Sequence, residues 1–85
     1  VSLAESKGVA QQVGQEASRL EDVVAQVLAE LEEAKGLFHG EMEGSSNSRV
    51  TEVMGLFEQA DTAGHSFMDA VGAIEDECIN LANEI

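Results

Sequence analysis

Few residues in this chain can do chemistry. His65 has Asp61 four positions before it and Asp69 four positions after it, and on an α-helix that spacing gathers all three on one side. A histidine between two carboxylates is a weak divalent-metal site, or an imidazole whose proton is held by its neighbours. The same three residues also make an ordinary solvated helix face, and that is the expectation here. His39 beside Glu41 and Glu43 repeats the arrangement in a weaker form. Cys78 is the one cysteine, so an internal disulfide framework is excluded. It is expected as a small buried hydrophobe, with a disulfide across a dimer axis as the alternative. The sequence has no Gly-rich phosphate loop, no Gly-x-Ser-x-Gly and no Cys/His pairing at metal spacing, the patterns that phosphate, acyl and metal chemistry need. The expectation is therefore a protein that is not an enzyme, with no catalytic residues, no metal and no cofactor.

Composition narrows the class further. The chain has 85 residues, enough for one domain, and carries 17 acids against 4 Lys and Arg for a formal charge of −13. Binding a phosphate backbone needs clustered cations, so no nucleic acid is expected as a partner. A strongly acidic balance also favours solubility and repels anionic membranes. No segment reads as a membrane span or as a basic-then-apolar signal peptide, so no membrane insertion is expected. The chain begins at Val1, so trimming at its start is expected, as is a tail that is absent from this sequence.

The elements that position these residues are set by hydrophobic spacing. In the second half, Val50, Val53, Phe57, Ala60, Gly64, Phe67, Val71, Ile74, Cys78, Leu81 and Ile85 follow one another in alternating steps of three and four. That is the seam of a helix packed lengthwise on another helix. A matching seam in the first half runs through Ala10, Val13, Ala17, Leu20, Val24, Val27, Leu31, Ala34 and Phe38, and extends back to Leu3. Between them Gly40, Gly44 and the run Ser45, Ser46, Asn47, Ser48 supply helix-stop and helix-start chemistry. The expected fold is all-α: a first helix over about 3–38, a turn over about 39–47 and a second helix over about 48–84, packed antiparallel because the connection is short. Laying seam on seam pairs Leu31 with Phe57, Val24 with Gly64, Leu20 with Phe67 and Ala10 with Cys78.

A two-helix domain of this size buries little surface. A second set of apolar residues flanks the seams, and among these Val23, Leu28, Met54 and Met68 are the expected outward contacts of a partner interface. The hairpin is thus expected to pair with itself or with a related hairpin as a four-helix bundle. Charged residues at Leu28 and Met68 are expected to abolish that pairing while leaving the helices intact.

The turn carries a resemblance. Two acidic, alanine-rich helices joined at Glu41-Met42-Glu43-Gly44-Ser45 resemble the WXG family of small Esx proteins exported by type VII secretion, whose helices are joined by a Trp-x-Gly turn. Met42, Glu43 and Gly44 stand where that motif would, with Met42 in place of the tryptophan. The family's Tyr-x-x-x-Asp/Glu export signal has no tyrosine here. Phe57 and Asp61 fit a phenylalanine version of it, but lie inside the second helix, where packing is the expected role of Phe57. Helical partners of LXG toxins in the same secretion system look like such hairpins and commonly lack the tryptophan. The resemblance implies a secreted Esx-like protein or a partner, chaperone or targeting subunit for the helical domain of a secreted toxin. It also implies a bacterial cytoplasmic stage before export to the outside. The alternative is a coiled-coil module or adaptor with no role in secretion.

Overall fold

The computed structural model describes residues 2–85; Val1 lies outside the described residues. The described residues form two helices, α1 over Leu3–Met42 and α2 over Ser48–Glu84. They pack against each other along their length as an antiparallel hairpin with extents of 63 × 16 × 16 Å. None of the described helices is long and apolar enough to cross a membrane.

Local chemistry explains each end. Ser2 caps α1: its side-chain oxygen accepts a bond from the backbone N–H of Glu5 at 3.1 Å, satisfying one of the donors a helix start leaves open. Asn47 caps α2 in the same manner, accepting from Arg49 N–H at 2.9 Å. Ser45 in turn accepts from Asn47 N–H at 3.2 Å. The first helix runs about one turn beyond the expected stop, through His39 and Gly40 to Met42. A glycine costs an exposed helix interior about 1 kcal/mol, which the surrounding residues outweigh. The stop falls where glycine is needed for its backbone. Glu43 has φ −57° and ψ 130°, Gly44 has φ +81°, and Ser45 N–H donates to Met42 C=O at 3.0 Å. Those values describe a type II turn, whose third residue sits in the region that favours glycine.

The extra turn of α1 resets the register. Gly64 meets Leu28 rather than Val24: a Cβ placed on Gly64 would lie 2.5 Å from Leu28 Cδ2. Gly14 lies against Cys78, whose Cβ is 3.6 Å from the corresponding point, so Cys78 faces Gly14 in place of Ala10. Near the turn the rings of Phe38 and Phe57 pack at a centroid distance of 6.0 Å, tilted by 48°, and Lys35 pairs with Glu58. The contact therefore changes in character along its length. At the open end Ala10, Gly14, Ala17 and Ala82 are buried, all small, which permits close backbone approach. Larger side chains fill the space from Leu28 to the turn.

Each helix is also rotated relative to the expected seam. On α1 the contact runs through Ala10, Gly14, Ala17, Glu21, Val24, Leu28, Leu31, Lys35 and Phe38; on α2 it runs through Phe57, Asp61, Gly64, Met68, Val71, Glu75, Cys78 and Ala82. At alternate steps the inward residue is the one after the apolar residue expected there: Gly14 for Val13, Leu28 for Val27, Met68 for Phe67, Glu75 for Ile74. One position is about 100° around the helix, and because only every other contact residue changes, the inward direction turns by about half of that. The displaced residues Val13, Leu20, Val27, Phe67, Ile74 and Leu81 are 42–54% exposed.

Candidate functional site

The rotation gives the hairpin two unlike sides. Repeats of seven residues keep Val13, Leu20, Val27 and Ala34 in a line on α1, and Leu81, Ile74, Phe67, Ala60 and Val53 in a line on α2. Two shallow grooves show that these lines share one side. The groove at the open end is lined by Val9, Ala10, Val13, Cys78 and Leu81; the one toward the turn is lined by Leu31, Val53, Leu56, Phe57 and Ala60. The opposite side begins at a groove lined by Gln11, Gln15, Ser18, Glu75, Ile79 and Asn83. It continues through the acids Asp22, Asp69 and Asp76.

The acidic side contains one carboxylate in an awkward place. Glu21 is half-buried in the helix contact. Its Oε1 is sheltered from solvent and accepts no hydrogen bond, since its neighbours are Glu75, Asp76 and Asp22. Its carboxyl is pushed above the usual glutamate range, chiefly because the protonated form donates a hydrogen bond to Glu75, then by burial and by the surrounding negative charge. A proton on Glu21 would supply the donor that its ionised form lacks beside Glu75.

The expected site residues divide between the two sides and the contact. Val23 is exposed, as expected. Leu28 is not an outward contact: at 9% exposure it fills the space above Gly64. Met54 and Met68 are half-buried, with Met68 in the helix contact beside Gly64, so these two also depart from the expected outward placement. Charges at Leu28 and Met68 would therefore disturb the hairpin itself. The surface that the hairpin leaves uncovered is instead the line of Val13, Leu20, Val27, Phe67, Ile74 and Leu81. Their place in the three-and-four seam was visible in the sequence; what it lacked was a signal for which side of the stripe the hairpin itself would use.

Met42 ends α1, and Glu43 and Gly44 form the turn. Phe57 packs on Phe38, while Asp61 is half-buried and lies 3.6 Å from His65 Nε2. Among the described residues no group of three His, Cys, Asp or Glu is placed to hold a metal ion. Cys78 is half-buried as a free thiol. Comparison with protein-family models, with characterised proteins and with solved structures finds no match.

Proposed function

We propose that this chain is a non-enzymatic helical hairpin of type VII secretion, acting as a secreted Esx-like protein or as the partner and targeting subunit of a secreted toxin. The observation that carries the reading is the continuous apolar line on one side of a hairpin that turns through Met42-Glu43-Gly44. Single exposed apolar residues are ordinary on protein surfaces, but a contiguous line of them marks an interaction surface. Its length suits a second hairpin, which would cover both lines at once and complete a four-helix bundle. In this mechanism the bundle is the unit recognised for export, and the hairpin contributes shape rather than chemistry.

The test is export itself. A tagged chain expressed in a bacterium with an active type VII system should reach the medium, and should stay in the cells when the membrane ATPase of that system is deleted. Retention in both strains, with the toxin partners of that system present, would sink the reading. Met42 in the tryptophan position favours one second reading, an interaction module with no role in export. Genes for a secretion ATPase or an LXG toxin beside its own would speak against that alternative.

A further inference from the structure

The two halves of the hairpin are held by different means. Toward the turn, Leu28 fills the space at Gly64, and the rings of Phe38 and Phe57 pack together. Lys35 pairs with Glu58 there, the one ion pair among the described residues that crosses between the helices. Toward the open end the contact is made by Ala10, Gly14, Ala17, Val71 and Ala82, most of which bury little apolar area. That half has no turn to hold it closed.

Glu21 and Glu75 stand at its inner end. Glu21 lies across from Gly72, where an added Cβ would come within 3.8 Å of its Oε1. That oxygen is sheltered from water and accepts no hydrogen bond. The charged groups around it are Glu75 and Asp76 from α2 and Asp22 from its own helix, all acidic. Arg19, two residues away, is bonded to Glu16 at 2.6 Å. Two facing carboxylates with no donor between them repel, whereas a single proton turns the contact into a hydrogen bond from acid to carboxylate.

We infer that Glu21 and Glu75 form a proton-operated clasp, which draws the open half of the hairpin together when Glu21 is protonated and lets it part when both are ionised. Helices draw most of their stability from packing, so parting them also opens their backbone amides to exchange with water. The turn half, fixed by other contacts, stays closed. Val13, Ile74 and Leu81 stand on the open half, so the clasp also sets how firmly that part of the apolar line is held as one surface.

Amide hydrogen exchange of the whole chain tests this, expressed as protection factors so that the intrinsic effect of pH cancels. The Glu21 carboxyl is held above its ordinary value, so the folded chain carries an extra proton in the window between the two, and closure strengthens as pH falls. From pH 7 to pH 5, amides in α1 before Glu21 and in α2 after Glu75 should gain protection by about threefold or more, and those nearer the turn less. Glu21→Gln should give the open half that protection already at pH 7 and remove most of the further gain. Glu75→Gln should do the same, because its amide donates to the Glu21 carboxylate. Glu77→Gln, an equal loss of charge at an exposed position of the same half, should keep the wild-type response. If Glu77→Gln acts as strongly as Glu21→Gln, the effect is bulk charge and the inference is overturned. Equal gains in both halves would overturn it too, as would a loss of protection in Glu21→Gln at pH 7. None of these readings depends on whether the chain is exported.

Discussion

The two sides of the hairpin share the same two helices, the same length and the same acidic setting, yet they differ in what they leave unsatisfied. One side exposes Val13, Leu20, Val27, Phe67, Ile74 and Leu81 in line. The other exposes glutamines, serine and carboxylates around the single apolar Ile79, with Glu21 and Glu75 facing each other between the helices. Water solvates the second side well and the first side poorly, at about 25 cal/mol per Å² of apolar surface. The difference shows where free energy is still available. The hairpin closes over a contact in which several positions are alanine, glycine or acid, while much of its best apolar surface is turned outward. Such a division makes sense if the chain is stable chiefly in company.

The comparison can be broken first by placing charge on the apolar side. Leu20→Glu with Phe67→Glu should weaken binding of a partner helical hairpin by more than about 100-fold, with helical circular dichroism nearly unchanged. Undiminished binding would show that the apolar line is not the docking surface. A sharper contrast comes from two neighbours in the chain. Leu28→Ala should cost about 2 kcal/mol of stability, measured by urea unfolding, because its side chain fills the gap at Gly64. Val27→Ala, one residue away on the outer side, should cost less than about 0.5 kcal/mol. Equal costs would contradict the inward rotation of the helix.

The smallest effect belongs to the acidic side. Because the Glu21 carboxyl is held above its ordinary range, the folded chain binds a proton that the unfolded chain lacks between the ordinary and the raised values. Stability therefore rises as pH falls through that window, and the cost of the ionised pair is fully relieved only below the ordinary glutamate value. Glu21→Gln should raise the melting temperature at pH 7, by an amount that shrinks toward pH 4. A variant that melts lower at pH 7 would show that the Glu21 charge is satisfied after all.

Much of the fold was legible before any coordinates. Three-and-four spacing marked both helices, and the Ser-Asn-Ser run marked the start of α2, whose bounds Ser48–Glu84 match the reading. The end of α1 was misplaced because Gly40 reads as a stop, although a single glycine in a helix carries only a modest penalty. That misplacement moved the whole register by about one turn, from Val24 to Leu28 opposite Gly64. The candidate surface was legible as a set of residues and illegible as a side: Leu28 and Met68 were expected outside, and Val27 and Phe67 inside.

By itself, then, the sequence determined the two helices, the capping run before α2, the glycine turn and an apolar stripe too wide for one partner. A stripe of that width meets a single neighbouring helix in more than one rotation, each burying a different edge. Only tertiary packing decided between them. Small residues at Ala10, Gly14 and Ala17 let the backbones approach closely at the open end, and Leu28 locks into the gap at Gly64. Both fits require the rotation that turns Leu20 and Phe67 to the outside. Shape complementarity between particular side chains chose the inner edge, and periodicity carries no information about shape.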